Sequence, residues 1–230
     1  MKILIIILAA IAALAGAWTI WSYQVSFGID EGFDLGLDTP PDLIRQIQNP
    51  VFDDTVTFVK YSYETGGEYT LLEIELGPGG GNPTHFHERF TETFIAVDGT
   101  LGVEHKGEDH FLESGQRLTA LPGEEHRFFN PGEERILFQV KIEPGSAGFE
   151  KALYLLYGLT RDGYADEDGR LKDLGHIALF LKLSDTRASG FLNLLNPLLK
   201  RAANRMEASG EADRLLQRYY YGYTGDSPVF

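Results

Sequence analysis

Four residues of this 230-residue chain have the types and spacing to hold a metal ion: His85, His87, Glu92 and His126. His85 and His87 are separated by one residue, and Glu92 follows His87 by five positions. Three imidazole nitrogens and one carboxylate oxygen form a donor set that Fe, Mn, Ni and Zn all accept. An ion held this way keeps one or two positions for water, oxygen or an organic ligand, and works as a Lewis acid or redox centre. Glu92 would then be ligand and proton shuttle, the catalytic carboxylate of the set.

These side chains need strands to position them. Residues i and i+2 of a strand project from one face, so His85 and His87 aim together and Phe86 aims away. Gly79, Gly80, Gly81 and Pro83 favour a turn, which lets the strand begin near Thr84. Glu92 opens a second strand, because Thr93–Val97 is β-branched and apolar before the turn signal Asp98-Gly99. Joined antiparallel near Arg89, the two strands would set Glu92 alongside the histidine pair. His126 must come from a third strand, and only a sheet curled on itself brings it to the same ion. By strand parity with Glu92 and His126, Phe94 and Phe128 are expected to line the cavity beside it.

At these positions the chain resembles the cupin superfamily of small β-barrels. The first motif of that family, G-x5-H-x-H-x4-E-x6-G, is met at every spacing by Gly79, His85, His87, Glu92 and Gly99. The second, G-x5-P-x-G-x2-H-x3-N, is met by Gly115, Gly123, His126 and Asn130, with Leu121 in place of the first proline and Pro122 one position later. The resemblance implies that His85, His87, Glu92 and His126 are the metal ligands. It also implies a barrel spanning roughly residues 51–146. Cupins with complete ligand sets include dioxygenases, isomerases and decarboxylases; other cupin domains bind a small ligand without turnover in regulators, and many of these barrels form homodimers.

The rest of the barrel reads from period-2 patterns. Residues 55–63 and 70–76 are strands, Leu72, Ile74 and Leu76 alternating with Glu73 and Glu75. Leu101–Lys106, His110–Leu112, Arg117–Leu121, Arg127–Asn130 and Arg135–Ile142 follow, making eight or nine short strands in all. His105 and His110 flank a polar turn and are expected at the solvent-exposed surface. The fold class expected is therefore all-β, a jelly-roll-like cupin barrel, with a C-terminal α-helical extension and one N-terminal hydrophobic helix.

From Gly148 the pattern changes to period 3.6. One helix is expected around Phe149–Gly158, a second over Leu174–Leu183 with His176 in a structural role, and a third capped by Asn196 with Pro197 in its first turn. The acidic loop Asp162–Gly169 lacks both terminal ligands of a calcium loop. Residues 188–223 gather apolar, basic and aromatic side chains. They read either as an amphipathic face lying on a membrane or as a helical subdomain packed on the barrel.

At the other end, residues 3–21 carry no charge. At 1.5 Å per residue they reach about 28 Å, close to the ~30 Å hydrocarbon core of a bilayer. Lys2 precedes the run, and Trp18, Trp21 and Tyr23 close it. Residues 1–23 are expected to be a single-pass membrane anchor with the barrel outside the cytoplasm. Cleavage at Ala15-Gly16-Ala17 would instead release a secreted or periplasmic protein. Residues 24–50 read as a spacer, 51–146 as the barrel and 147–230 as the helical extension.

Composition sets outer limits. An apolar fraction of 43% supports a packed core, and a formal net charge of −14 speaks against nucleic acid as a partner. The absence of cysteine excludes disulfides, thiolate ligands and iron–sulfur clusters. The function these features imply is an exported or membrane-anchored, divalent-metal cupin acting on a small molecule, with dioxygenase chemistry the leading candidate. A sensory ligand-binding domain and a membrane-associated scaffold are the alternatives.

Overall fold

The computed structural model describes residues 42–189 and 195–222. The hydrophobic run at residues 3–21 and most of the spacer lie outside the described residues. Within them, no helix is long and apolar enough to cross a membrane.

Among the described residues, eleven strands form two sheets. They are β1 (Gln46–Asn49), β2 (Asp54–Lys60), β3 (Thr70–Leu76), β4 (His85–His87), β5 (Thr91–Asp98), β6 (Leu101–His105), β7 (Glu108–Leu112), β8 (Arg117–Ala120), β9 (His126–Phe129), β10 (Ile136–Glu143) and β11 (Thr186–Ala188). The six-stranded sheet runs β1-β2-β3-β10-β5-β8, and the five-stranded sheet runs β11-β4-β9-β6-β7. The result is a mostly β, cupin-like fold with a C-terminal helical part.

Strict alternation builds the core. In β10, Ile136, Phe138, Val140 and Ile142 are all buried, and the residues between them are not. Register places Leu72, Val140 and Phe94 in one row across three strands, and Thr70, Ile142 and Glu92 in another. Each fully buried large apolar side chain in these rows contributes about 1.5–3 kcal/mol. Glu92 occupies an inward position in the second row, so its carboxylate requires partners inside the barrel. The β6–β7 turn sits at Lys106-Gly107, both at positive φ (55° and 81°), and β7 therefore starts two residues before the expected His110.

The expected hairpin of β4 with β5 does not form. β4 pairs with β9 and β11, whereas β5 pairs with β10 and β8. The chain crosses from one sheet to the other at Glu88–Phe90, and Glu92 faces the histidines across the interior. The spacer boundary also shifts, because Gln46–Asn49 is an ordered strand in antiparallel register with β2.

Among the described residues, four α-helices follow the barrel strands: α1 (Ala147–Arg161), α2 (Leu174–Leu183), α3 (Asn196–Ala208) and α4 (Glu211–Leu216), the last continuing into a π-helical turn, Gln217–Tyr221. Ser146 caps α1 by accepting from Phe149 N, and Asp173 caps α2 by accepting from His176 N. In α3 the cap position falls on Leu195, one residue before the expected Asn196.

The helices share the barrel's core. Tyr154, Tyr157 and Tyr220 belong to the same buried cluster as Phe58, Leu72 and Phe138. Glu150 of α1 is fully buried, and its carboxylate accepts from Ser62 N and Thr70 Oγ1, each at 2.6 Å. Of the two readings of residues 188–223, these contacts support packing on the barrel for two of the aromatics. Tyr219 and Tyr220 are buried in the protein, Tyr219 donating to Asp162 and Tyr220 packing edge-on against Tyr154.

Candidate metal centre

The glycine-rich stretch before β4 is threaded along β9. Asn82 N donates to Phe128 O, and Asn82 Oδ1 accepts from Phe128 N. Gly81 bridges Phe129, and a Cβ added there would lie 2.6 Å from Phe128 O, so only glycine allows this approach. The contact delivers β4 in a register that sets His85 opposite His126. The second motif is tied in by Gly123 N, which donates to His87 O at 2.7 Å.

Four donor atoms, one each from His85, His87, Glu92 and His126, lie within 4.8 Å of one another. His126 Nε2 is 2.9 Å and His87 Nε2 3.3 Å from Glu92 Oε2, and the Nε2 atoms of His85 and His87 are 3.2 Å apart. His87, Glu92 and His126 are buried, at 2%, 4% and 1% exposure, and His85 is half-buried.

The outer nitrogens decide what this cluster can do. His85 Nδ1 faces Pro83 O at 2.8 Å, His126 Nδ1 faces Glu124 O at 2.8 Å, and His87 Nδ1 faces Asp185 O at 3.3 Å. A carbonyl oxygen only accepts, so each Nδ1 carries a proton, and each ring in its neutral form has the Nε2 lone pair to offer inward. Neutral rings would offer three lone pairs and a carboxylate to a cation, which would displace the protons that His126 and His87 otherwise turn to Glu92. This buried cluster of three histidines and one glutamate is able to bind a metal.

Among the protein groups alone, the Glu92 carboxylate is balanced by imidazole protons, which a bound cation would replace. Burial, then the neighbouring imidazoles of His87 and His126, push His85 down to about 3, so it is neutral at physiological pH. Burial works to raise the Glu92 carboxyl, but hydrogen bonds from His126 and His87 outweigh it and hold the group well below the usual carboxylate range. His126 is raised: the Glu92 carboxylate favours its charged form over the opposing effect of burial.

Aromatic rings cover the cluster. Phe90 stacks on His87 at 4.3 Å between centroids, and Phe149 from α1 packs edge-on against both. Phe94 is buried 5.7 Å from His126, and Phe128, partly buried, lies 6.2 Å from Phe94. A cavity of about 570 Å³ lies elsewhere, between β1, β2 and α1, lined by residues including Asn49, Asp54, Tyr154 and Arg161. His105 is not a free surface residue as expected; its ring pairs with Glu124 at 2.8 Å.

Two residues the sequence did not flag stand beside the centre. Asp185 and Arg187 are 1% and 2% exposed and flank Thr186, the register partner of His87. Their strand is three residues long, too short to show a period. The only local signal is the polar break Ser184-Asp185 after an apolar helix.

Residues 72–142 match the family model for the cupin domain. Over 72 residues the chain is 33% identical to the tetracenomycin polyketide synthase protein TcmJ of Streptomyces glaucescens, covering 30% of this chain and 48% of that one. Over 74 residues it is 32% identical to germin-like protein subfamily 1 member 7 of Arabidopsis thaliana, covering 32% and 31%. The chain thus spans less than half the length of these curated relatives. Among solved structures, KdgF from Halomonas sp. is 19% identical, covers 47% of this chain and 97% of its own, and superposes with a TM-score of 0.40.

Proposed function

This chain belongs to the cupin superfamily through the domain at residues 72–142, and from that premise we propose that it is a divalent-metal enzyme of dioxygenase type acting on a small organic molecule. The observation that carries the proposal is the inward convergence of one ligand atom from each of three histidines and the Glu92 carboxylate, each imidazole facing a carbonyl through Nδ1. His85, His87, Glu92 and His126 would hold Fe, Mn, Ni or Zn. When bound, such an ion supplies Lewis acidity or redox chemistry to a ligand at its open positions.

The chain's own residues supply the setting. The carbonyls of Pro83, Glu124 and Asp185 orient the rings. Phe90 and Phe149 exclude water from the His87 side. Glu92, its carboxyl held low by hydrogen bonds from two imidazoles against the effect of burial, stays ionised and is placed to serve as the anionic ligand. His85 is the least covered of the four, which supports approach of the small molecule along its side of the barrel. Residues 1–23 would export the domain or tether it to a membrane.

The test is elemental analysis of the purified protein, beside a His85→Ala/His87→Ala variant, followed by oxygen-uptake and substrate screens. One equivalent of iron, manganese or nickel, lost in the variant, together with metal-dependent oxygen uptake, is the expected result. Absence of metal in both proteins overturns the reading. The close cover on His87, Glu92 and His126 favours one second reading, a cupin that holds ion and ligand without turnover; bound ligand with no product in those screens would identify it.

A further inference from the structure

We propose that Asp185 is a positioning residue for the metal centre, and that the helical extension is therefore a working part of the site. The inference rests on the metal-binding reading above. Asp185 grips the end of β4 in two ways. Its backbone carbonyl receives His87 Nδ1 at 3.3 Å. Its carboxylate oxygen Oδ2 accepts from Glu88 N and Arg89 N, both at 2.9 Å, and Oδ1 pairs with Arg89 Nε at 3.2 Å. One residue thus fixes the ring of a ligand and the main chain of the two residues that follow it.

The surroundings reinforce this grip. β11 continues directly from Asp185 and pairs with the whole of β4, Thr186 with His87, Arg187 with Phe86 and Ala188 with His85. The buried Arg187 guanidinium bridges Glu88 Oε2 at 2.9 Å and Asp185 Oδ1 at 3.7 Å. Backbone N–H groups bound to a carboxylate make charge-assisted hydrogen bonds, roughly twice as strong as neutral ones. Without them the crossover at Glu88-Arg89 loosens, the His87 ring loses its carbonyl, and Nε2 is no longer held as the inward lone pair.

The backbone indicates how to isolate the side chain. Asp185 has φ 53°, in the left-handed region that glycine, asparagine and aspartate tolerate best. Asp185→Gly keeps that conformation and deletes the carboxylate; Asp185→Asn keeps an acceptor oxygen and deletes the charge. Both would be made in the full chain and titrated with Co²⁺ alone, read by its visible absorption. In parallel, the histidine ring ¹⁵N resonances of the metal-free proteins report the His87 tautomer.

The expected result is a Co²⁺ affinity weaker by about 10–100-fold in Asp185→Gly. Its His87 ring should lose Nδ1–H population relative to wild type, because the carbonyl that receives that proton is no longer held in place. Asp185→Asn should fall between this variant and wild type on both readouts. Wild-type Co²⁺ affinity with unchanged His87 resonances in Asp185→Gly would overturn the proposal. Should that variant fail to fold, the same unchanged pair of readouts in Asp185→Asn would overturn it. A wild-type protein that takes no Co²⁺ would overturn the metal reading instead, and the ring nitrogens would still decide the positioning role.

Discussion

His85 and His126 are held by their own strands, whereas His87 is held by the far end of the chain. The carbonyls behind the first two lie two residues upstream, at Pro83 and Glu124. The carbonyl behind His87 belongs to Asp185, 98 residues away in sequence. The barrel thus completes two of its three imidazoles alone and borrows the third from the extension. The borrowed contact is also the longest, at 3.3 Å against 2.8 Å for the others.

The largest effects should come from the locally held ligands. His126→Ala removes a donor and leaves the buried Glu92 carboxylate with His87 as its remaining imidazole partner. Stoichiometric metal should be lost entirely, as read by elemental analysis after dialysis, while the far-ultraviolet spectrum of the barrel persists. Retention of one equivalent would remove His126 from the ligand set, and the contrast between local and borrowed support with it.

The next effect tests whether extension and barrel are one unit. Glu150 fastens α1 to the barrel through Ser62 N and Thr70 Oγ1. Glu150→Ala leaves those buried donors without that acceptor and should cost about 3 kcal/mol in urea unfolding. The wild-type transition should be single, because tyrosines of the extension lie in the barrel's core cluster. Two separated transitions would show that the extension folds by itself and that its hold on His87 is incidental.

An effect of similar size, but present only over a pH window, belongs to the other junction of barrel and extension. Burial pushes the Asp54 carboxyl up to about 6, against the hydrogen bond from Tyr157 of α1. A carboxyl raised in the folded state stabilises the fold below its unfolded value near 3.8. That contribution is lost as pH rises through about 6, and is worth about 3 kcal/mol in total. Asp54→Asn should therefore flatten the stability profile between pH 4 and 6 and gain relative to wild type at pH 7. Parallel melting curves for the two proteins across that range would refute it.

The same contrast explains what was legible beforehand. The four candidate ligands, the strand alternation and α2 could be read because each depends on residue types a few positions apart. The placement of β4 and β5 in opposite sheets could not, since the Glu88–Phe90 crossover looks like an ordinary turn. Neither could β11: three residues carry no period, and a buried arginine such as Arg187 contradicts every composition rule for a core strand. The aromatics at Tyr219–Tyr221 were ambiguous for a related reason. Amphipathic sequence states that a face will be covered and leaves open whether lipid or protein covers it.

The smallest predicted effect concerns Glu124, the local counterpart of Asp185. Both give a backbone carbonyl to a histidine, and both have carboxylates in ion pairs. The Glu124 carboxylate, however, points outward to His105 and Lys106, and its hydrogen bond with Lys106 holds it down at about 2. Exposed pairs of this kind contribute little, roughly 0–1 kcal/mol. The carbonyl facing His126 is carried by a turn that two backbone bonds fix, Gly123 N donating to His87 O and Glu124 N to Leu121 O, although Leu121 N also donates to this carboxylate at 2.9 Å. Glu124→Gln preserves that acceptor and removes only the charge, so Co²⁺ affinity should change by less than about threefold, far below the loss for a ligand's hydrogen-bonded support. A drop as large as that of Asp185→Gly would mean that side-chain charge near any of the three carbonyls tunes the centre, and that the distance in sequence between His87 and its support has no special consequence.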